Sequence, residues 1–243
     1  MIGAITHGDW FSQQSFRPSR EKTNPGWEVA PPPRPLCVKF KKGLTVNEKK
    51  FDPEKLRKLN DPQRLMDIPP DYIWEKMHIE KSDVFVEIGA GIAFFSVAFL
   101  QKFKPSTLYA CDLSEVMINW IKQNVSSKYP NIIPVKTEER AVPLDDGIAD
   151  LVFMINLHHE LESPSLSVEE AYRILKPGGK VFVVDWKKKD MPEGPPAKIR
   201  CLPEEVKEQM VNAGFIDVDI YNELQKHFWV VGKKAIFTYN KAN

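Results

Sequence analysis

The chain has 243 residues, 42% hydrophobic and 28% charged, ordinary for a globular protein with one sizeable core and an appendage. Lys and Arg total 34 against 33 acidic residues, a net charge of +1, and only Lys187-Lys188-Lys189 forms a compact basic run, so no nucleic-acid partner is expected. Cys37, Cys111 and Cys201 are odd in number and lack a Cys-x-x-Cys pair, which argues against a disulfide scaffold or zinc knuckle and for reduced thiols in the cytoplasm.

The first residues lack a basic start and a sustained apolar core, so no signal peptide is expected. Residues 1–50 are broken by Pro18, Pro25, Pro31-Pro32-Pro33 and Pro35 and read as an arm, distinct from a domain over 51–243. Trp10, Phe11, Phe16 and Trp27 are too many aromatics for a free tail, so the arm is expected to pack on the domain or, in a homodimer, on a second subunit. Asp52-Pro53 and Asp61-Pro62 each give an N-cap followed by a helix-compatible proline, and Tyr72, Ile73 and Met77 share one face of a third helix. For Arg64 and Tyr72, a contact over a ligand stands beside a surface ion pair and a core tyrosine.

Val84 to Ile88 is a buried apolar strand that breaks at Gly89-Ala90-Gly91 and re-enters an apolar helix, Phe94 to Phe103. Glu87 and the two glycines interrupt this run, so a membrane span of ~20 apolar residues is not expected. Glycines at 89 and 91 allow positive φ and close approach of a ligand to backbone, and the following helix offers free N–H groups. Counted from Gly89, the sixth position is Phe94, which departs from the dinucleotide pattern Gly-x-Gly-x-x-Gly.

Thr107 to Asp112 reads as a second strand ending in an acid 21 residues beyond Gly91, where Rossmann-like sheets place the carboxylate that accepts from ribose hydroxyls. Ile132 to Thr137 is a third strand, followed by Glu138-Glu139-Arg140. Asp150 to Asn156 is a fourth, buried on both faces as parallel strands are, and it exits into Leu157-His158-His159-Glu160. The exit faces the region where open α/β sheets bind ligands, making His158 and His159 candidates for proton transfer. Adjacent histidines diverge and no third ligand has convincing spacing, so no metal is expected. Ser167-Val168-Glu169-Glu170 reads as a capping box, and Lys176-Pro177-Gly178-Gly179 as a turn into a fifth strand, Val181 to Trp186. Asp190 to Cys201 reads as a mobile loop over the pocket. A last helix opens at Leu202-Pro203, and two further strands end the pattern.

From Glu87-x-Gly-x-Gly through Asp112 and Leu157-His158-His159 to Lys176-Pro177-Gly178-Gly179, residues 50–235 resemble the class I, Rossmann-like S-adenosylmethionine (SAM) methyltransferases. Within these they resemble the small-molecule group that includes the ubiquinone/menaquinone C-methyltransferases. Ala93 stands where that family has a third glycine. The resemblance implies a doubly wound, seven-stranded, mostly parallel sheet in the order 3-2-1-4-5-7-6 with the last strand antiparallel. It implies SAM as cofactor, S-adenosylhomocysteine as product, and a small-molecule acceptor. Cofactor contacts then fall on Glu87, Gly89, Ala90, Gly91, Asp112, Leu113, Glu138, Glu139 and Asn156, with Glu138 facing the adenine amino group. A SAM-binding module without transferase activity, and a reductase on the same fold, remain open at the level of sequence.

Overall fold

Residues 57–79 and 83–236 are described by a computed structural model; the arm of residues 1–50 and the helix start at Asp52 lie outside them. Runs rich in β-branched and aromatic residues form seven strands: β1 (Val84–Ile88), β2 (Thr107–Asp112), β3 (Ile132–Lys136), β4 (Ala149–Ile155), β5 (Leu175–Trp186), β6 (Phe215–Tyr221) and β7 (His227–Lys234). They form one sheet in the expected order, β3-β2-β1-β4-β5-β7-β6. β1 to β5 pair in parallel, and β7 runs antiparallel to both β5 and β6. The helices are α1 (Gln63–Asp67), α2 (Pro70–Met77), α3 (Phe94–Phe103), α4 (Glu115–Asn124), α5 (Pro164–Ile174) and α6 (Pro203–Asn212).

Alternate strand residues face opposite ways, so the sheet divides the core in two. On one face Phe85, Phe153, Phe182 and Trp229 pack with Phe95 and Phe99 of α3 and Ile73 and Met77 of α2. The rings of Phe99, Phe153 and Phe182 stack, with centroids 4.8 Å apart for the first pair and 5.3 Å for the second. On the other face Val86, Val152, Val183 and Val230 pack with Val168 and Ala171 of α5 and Val206 and Met210 of α6. Tyr72 belongs to the first core, edge-on to Trp229.

Three local expectations are corrected. The fifth helix begins at Pro164 with Ser163 before it, so Ser167 is an interior residue and not the N-cap. Proline fits the first helical position because its missing N–H would have no partner there. Glu170, read as the reciprocal partner of that cap, instead takes Arg173 through both oxygens and accepts the Val142 N–H. Next, Lys176-Pro177-Gly178-Gly179 lies inside β5 as a bulge: Leu175 pairs with Ala149, and Lys180 with Leu151. Finally, the Asp190 to Cys201 segment is fastened. The buried Arg200 guanidinium donates to the carbonyls of Lys187, Lys189, Glu193 and Pro195, which converts an apparent loop into a tied flap.

The turn after β1 carries Gly89 at φ 76 and Gly91 at φ 55, and Ala93 follows at φ 60 although it has a side chain. At Gly89 an added Cβ would stand 2.6 Å from the Leu157 side chain. Left-handed backbone costs an L-residue about 1–2 kcal/mol, whereas Ala93→Gly gives up a buried methyl worth ~0.8 kcal/mol and adds unfolded-state entropy of about 0.5–1 kcal/mol. These nearly cancel. Ala93→Gly is therefore expected to shift Tm by no more than about 4 °C; a larger shift in a thermal melt would contradict it.

Candidate active site

The carboxyl ends of β1, β2, β4 and β5 open into a cavity of about 1510 Å³. Gly89 and Ala90 both donate their N–H to the Cys111 carbonyl, at 2.8 and 2.9 Å, which folds the glycine turn over the end of β2. There Asp112 accepts the Gly91 N–H on one oxygen at 2.7 Å and the Ser114 N–H on the other at 2.8 Å. Its carboxylate thus links the turn to the start of α4, where the Ser114 hydroxyl accepts the Met117 N–H. Leu113 beside it is 54% exposed and lines the cavity, an apolar platform open to a ligand. Glu138 and Glu139 form the rim after β3, held by backbone bonds between Glu138 and Ala141.

Glu87 is buried at the cavity floor, where the Ser96 hydroxyl donates to it. Burial raises its carboxyl to about 8, opposed by Ser96 and by the Arg64 guanidinium. Arg64, on α1, donates to the Leu59 carbonyl at 2.6 Å and lies over the rings of Phe95 and Phe94, 4.7 and 5.2 Å from their centroids. Burial pushes that guanidinium down to about 10.

The Glu87 shift has a stability consequence. Between the ordinary value of 4.5 and about 8, the folded protein keeps a proton that the unfolded chain has released. Stability contributed by this group is complete below the unfolded value and is lost as pH rises, by at most ~1.4 kcal/mol per pH unit. Glu87→Gln is expected to flatten the fall in unfolding free energy between pH 5 and 8, measured by urea titration. An identical slope in variant and wild type would contradict the assignment.

The two histidines after β4 part company in the short 3-10 turn His158–Glu160. The His158 imidazole points away from this cavity into a second groove, its Nε2 2.7 Å from Gln209 Oε1, and burial lowers its basicity. His159 lines the main cavity. Its Nδ1 lies 2.7 Å from Oδ1 of Asp185, and its backbone N–H donates to Oδ2 at 3.0 Å. Asp185, at the end of β5, is fully buried and also accepts the Trp186 N–H at 2.7 Å, so its orientation is fixed by the backbone. A carboxylate only accepts, so Nδ1 of His159 donates to Asp185, and in the neutral ring Nε2 is the accepting nitrogen. The nearest carboxylate to that nitrogen, Glu160, is 3.8 Å away, beyond hydrogen-bonding range. Asn156 sits at φ 55 in the same wall, and its buried Oδ1 has no partner.

The predicted residues Glu87, Gly89, Ala90, Gly91, Asp112, Leu113, Glu138, Glu139, Asn156 and His159 therefore share one cavity, and His158 does not. Asp185, Ser96, Trp186 and His227 were not anticipated. The acid at the carboxyl end of an apolar strand was the available signal for Asp185; for His227, 68 residues beyond His159 in sequence, there was none. Among the described residues, no group of His, Cys, Asp and Glu is gathered to hold a metal, and no helix is long and apolar enough to cross a membrane.

A doubly wound sheet with a glycine turn and a carboxylate at adjacent strand ends defines a Rossmann-like enzyme of the nucleotide-cofactor class. A family profile described as a methyltransferase domain matches residues 86–183. The crystal structure of a SAM-dependent methyltransferase from Aquifex aeolicus is 30% identical, with a TM-score of 0.68 over 76% of this chain and 99% of that one. The uncharacterized methyltransferase YdaC of Bacillus subtilis is 26% identical over 145 residues, 60% of this chain and 78% of that protein. A malonyl-[acyl-carrier protein] O-methyltransferase of Marinomonas sp. is 30% identical over 115 residues, 47% of this chain and 42% of that protein. The chain belongs to the SAM-dependent methyltransferases.

Proposed function

We propose that the chain methylates a small molecule held beside His159, and that the His159–Asp185 pair removes the acceptor's proton. The observation carrying this is the 2.7 Å contact that holds Nδ1 of His159 on Asp185 and so makes Nε2 the accepting nitrogen of a ring that lines the same cavity as the glycine turn. Bound SAM supplies an electrophilic methyl group on a sulfonium. The chain's part is to align the acceptor in line with that methyl, exclude water and take up a proton. The donor set suits SAM. The positive-φ turn at Gly89–Gly91 lets backbone approach the methionine end, Asp112 accepts from ribose hydroxyls, and Leu113 with Glu138 and Glu139 receives adenine. The orphaned Oδ1 of Asn156 accepts from the ligand's ammonium group. Hydroxyl and carbon acceptors must give up a proton as they attack, whereas a neutral amine attacks through its lone pair and releases its proton afterwards, so the pair favours the former. The Leu157-His158-His159 and Lys176-Pro177-Gly178-Gly179 motifs support the narrower kinship with the ubiquinone/menaquinone C-methyltransferase group.

Calorimetry with SAM, coupled to detection of S-adenosylhomocysteine release across acceptors, tests the proposal. Binding together with acceptor-dependent release is expected. Binding without release from any acceptor would point to a module that only holds SAM.

A further inference from the structure

His227, the first residue of β7, is 1% exposed and lines the main cavity, yet neither ring nitrogen has a hydrogen-bond partner. Leaving such groups unpaired in a buried site is costly, so an imidazole with two of them calls for a ligand. The ring is also held in place. Register pairs His227 with Trp186 across the sheet, so both side chains leave the same face, and their rings lie 4.3 Å apart. Gly194 of the tied flap backs the Trp186 ring so closely that a Cβ there would stand 2.7 Å from it.

We infer that His227 is the acceptor-recognition residue of the methyl-transfer site, and that the acceptor is an uncharged molecule bearing a hydroxyl or primary amide on an apolar body. The inference rests on the methyltransferase reading and adds to it the end of the cavity that the cofactor does not need. Four charged groups act on the ring: burial, with Lys226 and Arg64 acting the same way, outweighs the opposing Asp67 and Asp185 and holds the imidazole down to about 4. His227 is then neutral near pH 7, with one nitrogen donating and the other accepting. Whichever nitrogen meets the ligand, the choice of tautomer lets it donate or accept, which suits a group able to do either, and the ring offers no charge to a carboxylate or phosphate. The surroundings agree. Phe94, Phe95, Ile68 and Pro195 supply apolar wall, while Asp67 and Asp185, the acids whose charges reach the ring, disfavour an anion there. Lys226 is already shared between Asp67 and Glu193, at 3.0 and 2.7 Å.

The test uses the full chain with ¹⁵N-labelled histidine, saturated with S-adenosylhomocysteine. Phenol, benzyl alcohol and benzamide are added, each against its para-carboxylated counterpart, and the ring nitrogen signals of His227 are followed. These signals are assigned by their loss in His227→Asn. At pH 7 the ring is expected to be neutral, to shift with at least one uncharged probe, and to be unmoved by the carboxylates. His227→Ala is expected to raise the dissociation constant of that probe at least about tenfold while S-adenosylhomocysteine affinity stays within about twofold. His227→Asn, which keeps one donor and one acceptor, recovers part of the loss. No shift with any uncharged probe, or equal response to the carboxylates, overturns the inference. So does a loss of S-adenosylhomocysteine binding in both variants, since His227 would then be structural. Wild-type protein that fails to bind S-adenosylhomocysteine overturns instead the cofactor reading beneath it.

Discussion

His159→Gln is expected to lower kcat about 100-fold or more while SAM affinity remains within twofold, because a positioned general base contributes about 10²–10⁴ to rate. Glutamine approximates the reach of the imidazole and can still donate to Asp185, so the 2.7 Å contact is retained while the base is removed. Asp185→Asn is the sharper companion. An amide can present an N–H to Nδ1, which drives the imidazole proton onto Nε2 and abolishes the lone pair facing the cavity. A comparable fall in kcat with unchanged KM is expected, read from S-adenosylhomocysteine release. Because Asp185 also accepts the backbone N–H groups of His159 and Trp186, the variant's Tm must be measured beside its rate. Near-normal kcat in both variants would mean that the acceptor arrives already deprotonated and that His159 only lines the wall.

The second large effect is on cofactor affinity. Asp112→Ala is expected to weaken SAM binding by about 1–3 kcal/mol, roughly 5- to 150-fold, through loss of a charge-assisted partner for the ribose hydroxyls. The side chain has a structural task as well, since it accepts the Gly91 and Ser114 N–H groups and so fixes the turn. Asp112→Asn separates the two. It keeps an accepting oxygen for one of those N–H groups, so it should retain more of the wild-type Tm than alanine while still losing affinity. An unchanged calorimetric dissociation constant for alanine would remove Asp112 from the ligand site.

The parts of the fold legible in sequence were those written in local chemistry. β1, α3 and β2 fall on Val84–Ile88, Phe94–Phe103 and Thr107–Asp112, bounded by Gly89, Gly91 and Asp112, residues with strong backbone preferences. The start of α5 was misplaced because Ser167 to Glu170 satisfies a capping pattern that the earlier Pro164 pre-empts. The Asp190 to Cys201 loop looked unrestrained because its restraint is one arginine reaching carbonyls 5 to 13 residues away, which no short-range pattern encodes. The site divided along the same line. Residues on the glycine turn and strand ends were visible, whereas the entry of His159 but not His158 into the main cavity depends on a single 3-10 turn. The Asp185 contact to His159 and the pairing of His227 with Trp186 depend on register between separate strands.

A crystal structure of the full chain with S-adenosylhomocysteine tests the central claim most directly. The ligand is expected in the cavity at the ends of β1 and β4, with its ribose hydroxyls within 3.2 Å of Asp112, adenine over Leu113, and its sulfur on the side facing Nε2 of His159. A ligand bound elsewhere, or oriented with adenine toward His159 and its amino-acid end at Glu138, would contradict the assignment of both the cofactor contacts and the base.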